Sequence, residues 1–162
     1  MIDKTMIKIV ILFYFYIFIF VANANENIDM ILVDKSLRTL QIIQKGTIIE
    51  TFSIDLGFDP IGHKHFKGDG KTPEGLYYIS KKSTKSDFHL SLQISYPNKW
   101  DQRNARNFNR NAGDYIMIHG EPNKKSRAGK KDWTNGCIAL SNKDIEKLYK
   151  LVLYETPIYI KK

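Results

Sequence analysis

The sequence predicts a mainly β domain of the β-rich α+β kind, built as two packed or partly rolled sheets with a few short helices. Three observations lead there. From Ile28 onward, short apolar runs rich in β-branched residues alternate with turn residues at the roughly 8–12-residue spacing of all-β domains. Only two stretches, 99–111 and 141–152, combine helical spacing with capping residues. The chain is 162 residues long, which suits one domain with a sizeable core once its first 24 residues are set aside.

Those 24 residues read as a secretory signal. Lys4 and Lys8 make a basic start, Ile9 to Val21 is an unbroken apolar run, and Ala22-Asn23-Ala24 matches an A-x-A cleavage site. The run falls short of the ~20 residues that a spanning helix needs, so cleavage is expected over an uncleaved anchor. Membrane contact would then be transient, and residues 25–162 would form the exported domain, in the periplasm or cell envelope. The net charge of +8 favours an anionic partner: nucleic acid, an acidic membrane surface or a wall polymer bearing carboxylates. Export argues against nucleic acid, and no nucleic-acid partner is expected. Export also means an oxidising compartment, where the single cysteine, Cys137, has no partner within the chain and must be buried or used.

Ile28–Val33 and Leu37–Ile43 read as a hairpin around Asp34-Lys35-Ser36. Thr47–Leu56 follows as a half-buried strand with Ile48, Phe52 and Ile54 inward. Gly57 to Gly75 is a long glycine-rich loop, and loops of that length in compact domains are usually functional. His63 and His65 within it have H-x-H spacing, but no cysteine or acidic cluster completes a metal site, so no metal or other cofactor is expected. Leu76–Ser80 reads as a strand, Lys81–Asp87 as a polar turn, and Leu90–Tyr96 as a strand with Leu90, Leu92, Ile94 and Tyr96 facing the core. His89 reads as an edge histidine. A helix is predicted from Lys99 to about Asn111, with Arg103, Arg106 and Arg110 on one face; that stripe is either solvated or grips carboxylates. Asp114–His119 reads as a buried strand, and Glu121–Asp132 as a basic loop walling the site and attracting an acidic polymer. Ser141 caps a second helix with Ile145, Leu148 and Val152 inward, and Pro157–Ile160 closes the chain as a strand.

Chemistry concentrates between Tyr115 and Asn142. Cys137 follows Thr134-Asn135-Gly136, polar and glycine residues that place the thiol at a loop end, and His119 ends the apolar run before it. A cysteine beside such a base becomes a nucleophile near neutral pH, whereas a buried structural thiol with an unrelated histidine is the bland alternative. Backbone N–H groups of Asn135, Gly136 and Cys137 are candidate oxyanion donors, and the carbonyl of Gly120 is placed to orient the imidazole.

This pattern resembles the L,D-transpeptidases, the YkuD-like cysteine enzymes of the bacterial cell wall, whose motif joins an HG dipeptide to [ST]-H-G-C-[IV]-R-[ML]. Here the dipeptide is His119-Gly120 and the block is Thr134-Asn135-Gly136-Cys137-Ile138-Ala139-Leu140, with Asn135 and Ala139 departing from the pattern. Gly68 to Ile79, GDGKTPEGLYYI, is similar to the family's upstream G-x-x-TP-x-G-x-Y-x-I signature. The resemblance implies an L,D-transpeptidase-like fold and acyl transfer on peptidoglycan stem peptides through a Cys137 thioester, with His119 as base. Thr134 and the three arginines are the expected substrate contacts, the arginines replacing the one absent at Ala139. A monomer is expected. Hydrolysis by the same thioester, as an L,D-carboxypeptidase or amidase, stays open, as does a non-catalytic wall-binding module.

Overall fold

A computed structural model describes residues 27–123 and 130–162. The expected signal segment and residues 124–129 of the basic loop lie outside these residues. Among the described residues, eight strands and two helices follow one another as β1 (Met30–Asp34), β2 (Thr39–Gln44), β3 (Thr47–Ser53), β4 (Gly75–Ser86), β5 (His89–Ile94), α1 (Lys99–Asn107), β6 (Met117–His119), β7 (Ile138–Ala139), α2 (Asn142–Leu151) and β8 (Pro157–Lys161). The strands form one continuous sheet in the order β3-β2-β1-β8-β4-β5-β6-β7. It rolls up on itself: the segment leaving β3 meets β7, where Asp55 and Ala139 exchange backbone hydrogen bonds of 2.9 and 2.8 Å. The partly rolled, mainly β fold expected from the sequence is therefore present, as a single sheet.

Alternation explains the core. Ile31 and Val33 of β1, Leu40 and Ile42 of β2, Leu92 and Ile94 of β5, and Ile158 and Ile160 of β8 are fully buried. Successive side chains point to opposite faces of a strand, so every second residue enters the interior. Each such side chain contributes about 1.5–3 kcal/mol over its exposed state. In α2, Ser141 accepts from Asp144 N–H at the cap, Ile145 and Leu148 are buried, and the helix packs against β5.

Three sequence expectations need correction. Lys81–Asp87 is no turn: β4 continues to Ser86, and the turn is confined to the residues before β5. A bulge between Ile79 and Lys81 breaks the apolar alternation there, which hid the strand from periodicity. The first helix stops at Asn107, so Arg110 lies beyond it and the three arginines do not share one helical stripe. Ile48 is 52% exposed, because a bulge between Ile42 and Ile43 shifts the β2–β3 register. The closing strand read from the sequence is present as β8, and it is central, parallel to β1 on one side and antiparallel to β4 on the other.

Candidate active site

The site follows from the alternation of β6 and its neighbours. Ile116 and Ile118 enter the core, and Tyr115, Met117 and His119 point to the opposite face. There they line a cleft of about 380 Å³ with Cys137, Phe88 and, from β4 and β5, Lys81, Ser83, Lys85, Ser91 and Gln93. β7 runs parallel to β6 with Ile118 opposite Ile138 and His119 opposite Ala139, so the residue before β7 brings its thiol alongside Met117. The register thus brings His119 and Cys137 to one face of adjoining strands.

His119 is 2% exposed, and its ring is held on three sides. Nδ1 lies 2.7 Å from Gly120 O; a carbonyl can only accept, so Nδ1 carries the proton and Nε2 keeps the lone pair. Phe88 stacks on the ring at 4.4 Å between centroids, and Trp133 meets it edge-on at 5.7 Å. Burial pushes the imidazole below its ordinary pKa, partly offset by the Gly120 bond. Gly120 has no room for a side chain: a Cβ there would lie 2.5 Å from Asn142 Oδ1 and 3.0 Å from Ile145 Cγ2. The first turn of α2 thereby fixes the residue that orients the base.

The thiol of Cys137 sits 3.6 Å from Tyr115 O, to which S–H donates. Burial pushes its pKa up, while the Met117 N–H and, more weakly, the Lys64 ammonium pull it down. Both groups are thus held in their neutral forms, a resting thiol beside a resting imidazole. The loop that presents the thiol is tied internally, since Gly136 N–H donates to Thr134 Oγ1 and Thr134 Oγ1 donates to Cys137 O. Gly136 has φ +121°, and a Cβ there would lie 2.5 Å from Lys71 O. The long Gly57–Gly75 loop therefore passes directly against the nucleophile turn, which brings together the two motif segments read from the sequence.

A further tie was not legible in the sequence. Asp132, five residues before the thiol, takes a forked ion pair from Arg38 in the β1–β2 turn, with Nε–Oδ1 at 2.9 Å and Nη2–Oδ2 at 2.7 Å. Asp132 Oδ1 also accepts from Leu56 N–H, and Asp132 N–H donates to Asp55 Oδ1. The carboxyl is held below its usual range: burial opposes this, and the Arg38 bond and the Leu56 amide outweigh it. Ninety-four positions separate the two residues, so no local pattern announces the pair.

The other expected site residues are placed as follows. Thr134 is 3% exposed and its hydroxyl is spent on the loop, which makes it a positioning group in this structure and leaves it no free face for substrate. Asn135 is exposed beside the thiol. Because Gly136 N–H already serves Thr134, the N–H groups of Asn135 and Cys137 remain as the oxyanion candidates. Arg103, Arg106 and Arg110 are exposed and none lines the cleft; Arg106 and Arg110 border a separate hollow with Pro97 and Gln102, and Arg110 lies over the Phe66 ring. Sequence reasoning missed Phe88, Tyr115, Lys81 and Lys85 as cleft residues and Trp133 as a neighbour of the His119 ring. The aromatic pair was visible only as composition, and the lysines were assigned to a turn. His63 binds the backbone of Glu74 and lies 3.2 Å from Asp101, while His65 Nδ1 is 2.8 Å from Asn104 Nδ2, so both brace the long loop against α1. His89 pairs with Glu146 at 2.7 Å. Of the basic loop, residues 124–129 lie outside the described residues, and Lys130 and Lys131 are exposed.

Comparison with known proteins agrees with this geometry. Residues 28–160 match the model of the YkuD family, described as the L,D-transpeptidase catalytic domain. A curated Escherichia coli K12 protein, "Putative L,D-transpeptidase YafK", is 27% identical over 107 residues, which are 65% of this chain and 37% of that protein. Among solved structures, the helical cell shape determining protein Pgp2 of Campylobacter jejuni is 26% identical with a TM-score of 0.67, over 85% of this chain and 48% of that one. Bd1075 of Bdellovibrio bacteriovorus is 29% identical with a TM-score of 0.61, over 82% and 47%. The chain thus spans half or less of the length of these relatives. With the family model covering nearly all the described sheet, the chain belongs to the YkuD L,D-transpeptidase catalytic-domain family.

Proposed function

We propose that this domain is an exported, cysteine-dependent acyltransferase acting on peptidoglycan stem peptides. The observation that carries the reading is the pairing in one cleft of the chain's only thiol with an imidazole whose Nδ1 is tied to Gly120 O, leaving Nε2 as the free base. Cys137 Sγ gives its proton to His119 Nε2 and attacks the carbonyl carbon of a stem-peptide bond. The tetrahedral oxyanion is met by backbone N–H groups of the Asn135–Cys137 turn, where losing one donor typically costs about 3–4 kcal/mol. The imidazolium then protonates the leaving amine, and a thioester remains. An amine of a second stem passes its proton to His119 and attacks the thioester, forming a new peptide bond and restoring the thiol.

Water as the acceptor is the second reading, favoured by Ser83, Ser91 and Gln93 in the cleft wall, polar side chains able to hydrogen-bond an attacking water. The similarity to Pgp2, described as determining helical cell shape, extends either chemistry to wall remodelling that sets cell form. Incubating the protein with a stem tetrapeptide, with and without an amine acceptor, tests both. Intact-protein mass spectrometry should show the acyl-enzyme in the wild type, and product analysis shows whether amine or water resolves it. Cys137→Ala should form no adduct and turn over less than about a hundredth as fast, because a covalent nucleophile is lost. Full turnover by Cys137→Ala would make the domain an enzyme of another kind, and a wild type that forms neither adduct nor product would leave it a wall-binding module.

A further inference from the structure

We propose that Lys81, supported by Lys85, forms an anion-reading subsite that selects acyl donors carrying a free carboxylate about three residues from the scissile carbonyl. This rests on reading the cleft as the site of a wall peptide.

The argument begins with the sheet register. Lys81 of β4 pairs with Gln93 of β5, Gln93 pairs with Met117 of β6, and the β6–β7 register sets Cys137, the residue before β7, alongside Met117. These four residues form one cross-strand row, and all four line the cleft. The neighbouring row is Ser83, Ser91 and His119. The thiol and Lys81 therefore stand at opposite ends of one row, three inter-strand steps apart, or about 14 Å at ~4.8 Å per step. An extended peptide advances about 3.3–3.6 Å per residue, so a substrate laid along the row reaches the Lys81 backbone about four residues from the thiol, and its ammonium about three residues away where the lysine stem leans inward.

The bulge gives Lys81 its place. Ile79 pairs with Ile94 on the core side, and in unbroken alternation Lys81 would share that side. The extra residue at Ser80 reverses the pleat and pairs Lys81 with Gln93, on the cleft side. Lys82, the next residue, returns to the core side opposite Leu92 and donates to Tyr149 O and Val152 O at 2.6 Å, so it cannot serve the cleft. Among the described residues that line the cleft, Lys81 and Lys85 are the only lysines or arginines, and Asp87 lies beyond Lys85 at the turn, away from the thiol's row. The arginine of the family motif is Ala139 here, and none of Arg103, Arg106 and Arg110 reaches the cleft. An ammonium at the end of a walled groove attracts a carboxylate more strongly than one on open surface.

The test compares two stem peptides that differ only at that position, free acid against amide. Affinities are measured on the Cys137→Ala protein, so no turnover is needed, and turnover by the wild type is followed separately. With Lys81 intact, the acid should bind about tenfold more tightly than the amide, the equivalent of one well-placed charge contact. Lys81→Gln with Lys85→Gln should bring the ratio to about one, and Lys81→Glu should favour a peptide ending in an aminoethyl amide. Alkylation of Cys137 by neutral iodoacetamide, measured with Cys137 present, reports whether the lysine variants keep the thiol in place. An acid-to-amide ratio unchanged in the double glutamine variant, or already near one with both lysines present, overturns the subsite. Absence of acyl-enzyme in the wild type with the ratio intact counts against the reaction and leaves the subsite standing.

Discussion

At the residue scale, the notable property of the pair is that burial moves its two members toward neutrality from opposite sides. The imidazole of His119 lies below its ordinary pKa and the thiol of Cys137 above it. Burial therefore disfavours a preformed thiolate–imidazolium pair, and in the proposed reaction the proton moves as the substrate arrives. The sign of the pH dependence follows. His119 serves as base only while neutral, and a lowered pKa keeps it neutral further into acid. The acid limb of kcat/KM should accordingly have its midpoint below the ~6.5 of a free imidazole. A limb centred above 7 would show that the thiol, and not the imidazole, governs activation. Asn135 cannot titrate where the family pattern has histidine, so a single imidazole-like ionisation should describe that limb. The sequence made the candidate pair legible because a thiol with no partner and a histidine ending an apolar run are each unusual. It could not show Phe88 or Trp133 against the ring, since side chains meeting across strands leave no mark in spacing.

At the scale of elements, the nucleophile turn is held from three directions, and their strengths can be ranked. Thr134 ties the turn to itself, Gly136 lies against the Lys71 carbonyl, and Arg38 grips Asp132 from a hairpin turn that is distant in sequence. The ion pair is partly shielded, its side chains 24% and 12% exposed, and it is forked, the geometry that lysine cannot reproduce. Arg38→Ala should cost about 1.5–3 kcal/mol in chemical unfolding. It should also lower kcat more than it raises KM, because displacing a reacting group by ~1 Å can cost about 10²-fold in rate. Arg38→Lys keeps the charge and loses the fork, so it should recover stability more fully than kcat. Equal recovery of both would make Arg38 a purely structural residue. Elements with strong local patterns, such as β5 and the capped helix α2, were readable in advance. The Arg38–Asp132 pair and the continuation of β4 were not, because one depends on contact across 94 positions and the other on a bulge that breaks the alternation.

For the whole molecule, the decisive feature is where the last strand goes. Read from sequence, Pro157–Ile160 merely ends the chain; in the fold, β8 lies between β1 and β4 and joins the β1–β3 hairpins to the half that carries the cleft. Nothing in its apolar alternation distinguishes an edge strand from a central one. Ile158 and Ile160 are fully buried, and β8 is the strand through which β1 and β4 are connected in the hydrogen-bonded order. If β8 is the seam, weakening it must loosen both halves at once. Ile160→Ala removes a fully buried side chain and should cost about 2–5 kcal/mol. Its unfolding, followed in parallel by far-ultraviolet circular dichroism and by the fluorescence of Trp100 on α1 and Trp133 beside His119, should remain one transition with coincident midpoints, shifted to lower denaturant. Single-tryptophan variants separate the two reporters, since Trp133 reads the cleft half directly through its contact with the His119 ring. If Trp133 kept its native signal at denaturant concentrations where the backbone signal of the other strands had already gone, the halves would unfold independently. The cleft would then need only β4 to β7, and β8 would be a strand that fills a gap in the sheet without coupling the two sides.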